Sequence, residues 1–252
     1  MNQYVNRIDN GRLAVIEFYT EKSNSLPSII LNKLAEEISN AGSDDNIQLI
    51  LLKSSGEKTF CAGASFVELS GISNKEEGLD FFSGFSKVIL TIRDCKKIVI
   101  GRIHGNAVGG GVGIAAACDY SLASIYASIR LSELAIGIGP FVIGPVVERK
   151  IGLAAFSQMA LNATEWQTAQ WAKEKGLFQE VFESTEQLDD YIQHFTQILL
   201  NSNPEALKQL KNIFWEGTDH WPMLLKERAG ISGELILSEF SKKAVSKISF
   251  SS

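Results

Sequence analysis

The sequence lacks the features that mark several large classes of protein. It has three cysteines, Cys61, Cys95 and Cys118, with no CxxC pair and no cysteine–histidine cluster at metal spacing. An odd, scattered set argues against a disulfide framework and against a bound structural metal. No apolar run is long enough to cross a bilayer. The stretch Met1 to Asn10 is polar and carries a single Arg, so it does not read as a secretory signal. There is no surplus of positive charge either: 24 Lys and Arg stand against 29 Asp and Glu, a net charge of −5. With basic residues dispersed, neither nucleic acid nor a membrane surface is expected as a partner. No internal repeat, low-complexity tract or linker-like stretch appears. The expectation is a reduced, cytoplasmic protein without a metal.

What is present is a core-forming chain: 252 residues, 45% of them hydrophobic, enough for one large domain or a domain with a small extension. Residues 12–20 alternate and are rich in β-branched and aromatic side chains, which predicts a strand. From Pro27, apolar residues at three- and four-residue spacings (Ile30, Leu31, Leu34, Ile38, Ala41) predict a helix that Gly42 ends. Two nearly continuous apolar runs, 47–53 and 98–103, predict strands buried on both faces, with a helix at 76–93 between them and a shorter strand near 119–124. Strands alternating with helices imply right-handed crossovers and a largely parallel sheet. Beyond about Glu148 the strand signal fades, and helical patterns occupy 148–161, 165–175, 185–200, 204–215 and 222–240.

Three segments carry possible chemistry. Thr59 to Phe66 (TFCAGASF) follows a predicted strand with a run of small residues. Such a run either presents backbone N–H groups to a ligand or is a tight turn that merely avoids clashes. Gly105 to Ala117 is richer still in glycine. Gly111, Gly113 and Ala116 match the spacing of a dinucleotide fingerprint. That motif belongs at the first strand-to-helix turn, whereas this one comes late and about eight residues past the preceding strand. Glycines within a helix cost about 1 kcal/mol each relative to Ala, which favours a backbone role over simple close packing. In the third segment, Ile129 to Pro140, Glu133 is the one carboxylate in an otherwise apolar, glycine-rich stretch. Apolar surroundings would raise its pKa and suit it to acid–base work, although a lone Glu is more often a surface or salt-bridged residue.

Taken together and in this order, FCAGASF, HGNAVGGGVGI, AACDY and LSELAIGIGP resemble the motifs of the crotonase (enoyl-CoA hydratase/isomerase) superfamily. Asn24-Ser25-Leu26-Pro27 and Gly176-Leu177 are similar to further family segments, so the resemblance covers most of the chain. It implies an α/β fold, a superhelix of β-β-α units with a C-terminal helical region. The core would span 1–195 and a helical trimerisation region 196–252, giving homotrimers or dimers of trimers. It further implies an acyl-CoA substrate, with coenzyme A entering as part of that substrate and no other cofactor. The N–H groups of Ala64 and Gly110 would form an oxyanion hole. The backbone near Ala62, with the turn at Ser25, would hold the coenzyme A moiety. Ser65, Phe66 and Gly113 complete the expected substrate contacts, and Leu69 and Phe141-Val142-Ile143 the expected acyl wall.

Two departures bear on the reaction. The family's hydratases commonly carry a glutamate where this chain has Gly113, and Ser65 replaces a more usual Asp. Only Glu133 matches a family carboxylate. The wording of the motifs is nearest to the bacterial methylglutaconyl-CoA hydratase-like branch. The resemblance therefore implies a hydro-lyase acting on an α,β-unsaturated acyl-CoA, a branched glutaconyl thioester among the candidates, with Glu133 as the acid–base. It leaves open a Δ3–Δ2 isomerase, a glutaconyl-type decarboxylase, or an acyl-CoA-binding trimer without turnover. His104 is expected to act through a hydrogen bond rather than in catalysis, and Glu68 to sit at a helix start.

Overall fold

The computed structural model describes residues 3–249. In chain order the elements are β1 (Gln3–Asn10), β2 (Leu13–Thr20), α1 (Ser28–Ser43), β3 (Leu49–Ser54), β4 (Thr59–Cys61), α2 (Phe66–Gly71), α3 (Lys75–Asp94) and β5 (Ile98–Ile103). They continue with β6 (Asn106–Val108), α4 (Gly110–Ala117), β7 (Tyr120–Ser124), β8 (Ile129–Arg130), a 3-10 turn at Glu133–Ile136, and α5 (Gly144–Leu161), which breaks at Gly152. The remainder is α6 (Ala169–Glu174), β9 (Glu180–Phe182), α7 (Thr185–Leu200), α8 (Pro204–Phe214), α9 (Trp221–Leu235) and α10 (Glu239–Ser249).

The predicted parallel sheet is correct in direction but incomplete in architecture. A six-stranded sheet has the order β1-β2-β3-β5-β7-β9, and a separate three-stranded sheet has the order β4-β6-β8. All pairs are parallel except β1 with β2. The chain lays one strand in the large sheet, one in the small sheet, then a helix, and repeats. That is the superhelix of β-β-α units. Every strand of the large sheet is thus followed, from β3 to β7, by a short strand that carries the chain into the small sheet.

The buried apolar residues of β2 and β3 pack on α1 and α3, whose faces supply Leu31, Leu34, Ile38, Phe85, Ile89 and Ile92. A second cluster on the other face of the large sheet, with Leu49, Ile100 and Leu122, is covered by α7 through Leu188 and Ile192. The C-terminal helices join the main core rather than standing apart: Trp215, Trp221, Leu225, Ala229 and Val245 belong to the same buried cluster as the sheet. Residues 195 and 196, the expected division of the chain, are consecutive within α7. Helices α3 and α9 cross closely at Gly78 and Gly233, where a β-carbon on Gly78 would lie 2.6 Å from the Gly233 Cα. This contact brings α9 over the end of α3.

Candidate active site

The turn at Asn24 positions the first wall of the site. Ser23 and Asn24 adopt left-handed backbone angles, φ 52° and 55°. The buried Asn24 side chain holds them there: its Oδ1 accepts from the Thr20 N–H at 2.9 Å, and its Nδ2 donates to the carbonyls of Ser55 at 2.7 Å and Thr59 at 2.9 Å. Leu26 then runs parallel to the segment after β4. Its N–H donates to the Gly63 carbonyl at 2.7 Å, and its carbonyl accepts from the Ser65 N–H at 3.1 Å. Because successive peptides of an extended chain point to opposite sides, the N–H of Ala64, between those two bonds, points away from Leu26. Among the described residues it has no backbone acceptor.

The second wall comes from the glycine-rich segment. Gly63 has φ 85°, and a β-carbon there would sit 2.8 Å from the Val108 carbonyl oxygen and 3.4 Å from the Gly110 nitrogen. Gly109 has φ 52° and ψ −119°, a conformation that side chains with a β-carbon rarely adopt. The two loops therefore pack backbone against backbone, with Ala64 and Gly110 both on the cavity between them. Gly110 opens α4, so its N–H has no partner within the helix and carries the favourable end of the helix dipole.

Glu133 begins the 3-10 turn and forms the third wall. A β-carbon on Gly109 would lie 2.9 Å from Glu133 Oε1, so the carboxyl group abuts the residue next to Gly110. Its Oε2 is fully buried and has no hydrogen-bond partner among the described residues. The residue as a whole is half-buried, and the decisive fact is the burial of the carboxyl oxygen itself. Burial pushes the Glu133 pKa up from 4.5 to about 7, since an unpaired charge there would lose its water.

These three walls enclose a cavity. Of the residues expected at the site, Ala62, Ala64, Phe66, Leu69, Gly110, Glu133, Phe141, Val142 and Ile143 all line it. Ser25 and Ser65 do not. They border an adjoining recess with Lys22, Pro27 and Glu68, on the other side of the Ala64–Phe66 segment. The Ser65 hydroxyl caps α2 by accepting from the Glu68 N–H at 3.5 Å. The Glu68 carboxylate in turn accepts from the Ser28 N–H and hydroxyl at the start of α1. Glu68 therefore serves two helix starts.

Gly113 stands away from the cavity lining. A β-carbon on it would meet Ile143 Cγ2 at 2.4 Å, so Ile143 fills the space a side chain at 113 would need. His104 is buried and also lies outside the lining. Burial first, and Arg102 next, hold its pKa down to about 4.

Sequence reasoning missed Phe82 and Phe85 on α3 and Ser232 on α9, all of which line the cavity. A β-carbon on Gly110 would lie 2.1 Å from Phe85 Cε1, so that ring is pressed against the glycine loop. The helical periodicity marked both phenylalanines as core. Nothing local indicates that the buried face of α3 runs on into a cavity. Among the described residues no group of three or more His, Cys, Asp or Glu is placed to hold a metal ion.

The sequence model of the family described as enoyl-CoA hydratase/isomerase matches residues 9–246. The chain is 30% identical to a short-chain-enoyl-CoA hydratase of Clostridium acetobutylicum, over 82% of this chain and 79% of that protein. It is 25% identical to a carnitinyl-CoA dehydratase of Escherichia coli K12, over 95% and 97%. It is also 32% identical to the mitochondrial methylglutaconyl-CoA hydratase of Rattus norvegicus, over 66% and 52%. The crystal structure of an enoyl-CoA hydratase from Bacillus halodurans superposes with a TM-score of 0.89 at 22% identity, covering 97% of this chain and 99% of that one.

Proposed function

The chain belongs to the enoyl-CoA hydratase/isomerase family, and on that footing we propose that it adds water to, or removes it from, an α,β-unsaturated acyl-CoA. The observation that carries this reading is the buried carboxyl group of Glu133, its Oε2 without a hydrogen-bond partner among the described residues, set against Gly109 beside the N–H of Gly110. A carboxylic acid with a pKa near 7 can hold a proton or release one at neutral pH.

In the proposed reaction the thioester oxygen accepts hydrogen bonds from the Ala64 and Gly110 N–H groups. Ionised Glu133 takes a proton from water while the water oxygen bonds to Cβ. The electron pair of the Cα–Cβ double bond moves to form an enolate, whose charge rests on the thioester oxygen. Glu133 then returns its proton to Cα, giving the 3-hydroxyacyl thioester. Dehydration is the reverse. Donors fixed before reaction stabilise the enolate without reorganising, and loss of one such donor costs about 3–4 kcal/mol of barrier in other enzymes. The coenzyme A portion would lie along Ala62 and the recess bordered by Ser25 and Ser65, where Lys22 supplies a cation. The proposed working form is a cytoplasmic homotrimer or dimer of trimers.

A second reading rests on Ile143. It fills the space beside Gly113, and among the described residues the cavity is lined by one carboxylate, which suffices to move a proton between carbons in a Δ3–Δ2 isomerase. The rat relative acts on a branched glutaconyl thioester, which makes that acyl group, with its distal carboxylate, the charged comparison to set against an uncharged one. Mass spectrometry of products from crotonyl-CoA, a 3-enoyl-CoA and 3-methylglutaconyl-CoA separates these. Hydration predicts a gain of one water. Bond migration without water, or release of CO2, would displace it. Glu133→Gln is expected to lower kcat by at least about a hundredfold while a saturated acyl-CoA still binds. Full turnover by that variant would remove Glu133 from the mechanism.

A further inference from the structure

Resting on the thioester reading above, we infer that this site takes an uncharged, apolar acyl group and rejects acyl chains that end in a carboxylate. Among the described residues lining the cavity there is no Lys, Arg or His, and Glu133 is the one ionisable side chain. A distal carboxylate would enter the same enclosure as the Glu133 carboxyl group. It would lose its hydration and gain no counter-charge, and it would repel the one group whose ionisation the reaction needs.

The wall that would meet the acyl chain is formed by Phe82, Phe85, Ile138, Phe141 and Ile143. It has no room for a compensating charge at 113, because Ile143 lies where that side chain would start. Arg228 approaches this wall from outside the cavity. Its Nη1 donates to the Phe141 carbonyl at 3.4 Å, and its side chain borders a different recess, with Glu148, Arg149 and His220. It stands behind the Phe141–Gly144 segment rather than in the cavity. A quaternary ammonium would find the faces of these phenylalanines and the Glu133 carboxylate, so the exclusion concerns anionic chains. The polar groups left over, Ser132 and Ser232, suit a neutral hydroxyl.

The test is calorimetric titration of the wild-type enzyme with three unreactive ligands: coenzyme A, butyryl-CoA and glutaryl-CoA. Butyryl-CoA is expected to bind at least roughly tenfold more tightly than glutaryl-CoA, and glutaryl-CoA no more tightly than coenzyme A itself. Equal binding of the two thioesters, or a preference for glutaryl-CoA, would overturn the inference and leave the thioester reading intact, since the coenzyme portion is still held. Failure of all three to bind would overturn both. Ile143→Lys, which brings a cation to the wall, is expected to shift the preference toward glutaryl-CoA by about tenfold or more. An unchanged preference in a variant that still binds coenzyme A would count against the assigned role of Ile143.

Discussion

Glu133 is held in a state that its position in the fold makes costly once it ionises. Its pKa is raised from 4.5 to about 7 by burial, so between these values the folded protein binds a proton that the unfolded chain has already lost. Stability then falls as pH rises, because the folded state binds more protons than the unfolded one. The loss is complete above the folded pKa and amounts to roughly 3 kcal/mol at most. Urea denaturation of wild type and Glu133→Gln at about pH 5 and about pH 8 should show the variant gaining on wild type at the higher pH. Parallel curves would mean that the carboxyl group is solvated. In the proposed reaction the ionised form acts first, so kcat/KM should rise with pH to a plateau, with an inflection near 7. Glu133 could be singled out from the sequence because it is the lone carboxylate in an apolar run. Ile143 as the reason for one carboxylate could not, since it meets Gly113 only when the loop before α5 folds onto α4.

Between elements, a buried ion pair ties the large sheet to the C-terminal helices. Asp119, at the start of β7, accepts from Lys211 Nζ of α8 at 2.6 Å, from the Trp215 indole at 2.8 Å and from the Val99 N–H of β5 at 2.8 Å, and both charged side chains are 2% exposed. Lys150 of α5 adds a bond to the Asp119 carbonyl at 3.1 Å. Removing one member leaves a charge without its partner in a dry place. Lys211→Met is therefore expected to destabilise the fold by about 3 kcal/mol, read from the urea midpoint, while Asp119→Asn together with Lys211→Met loses less than the sum. Additive losses would mean the pair is not coupled. The pair is invisible in the sequence, where its members lie 92 positions apart. The same division runs through the fold. Elements with strong periodicity (β2, α1, β3, α3, β5, β7 and α7) could be read directly. β1 could not, because it is an edge strand with mostly exposed residues. The strands β4, β6, β8 and β9, of two or three residues, are too short to show alternation. Without the small strands the pattern reads as a single sheet, and the superhelix came from resemblance alone.

At the scale of the whole molecule, the helices that complete the core on one side leave large apolar side chains bare on the other. Leu153 and Leu161 of α5, Ile213 and Phe214 of α8, Met223 of α9 and Phe240 of α10 are all exposed, Met223 at 74%. Water contact with that much apolar surface is unfavourable by about 25 cal/mol per Å², and a stable interface needs about 800 Å² from each partner. Among the described residues α9 is the one of these four helices that lines the cavity, through Ser232, so association that covers these side chains leaves the other walls in place. Sedimentation equilibrium at micromolar concentration is expected to give three or six times the chain mass of 27.6 kDa. A monomer under those conditions would refute the expectation. Met223→Glu, a change at a position with little to lose in the isolated fold, should shift the population toward monomer by placing an unpaired charge in the interface. If the variant keeps the assembly of the wild type, the face carried by α9 is not the one that associates, and the exposed residues of α5 and α8 become the remaining place to look.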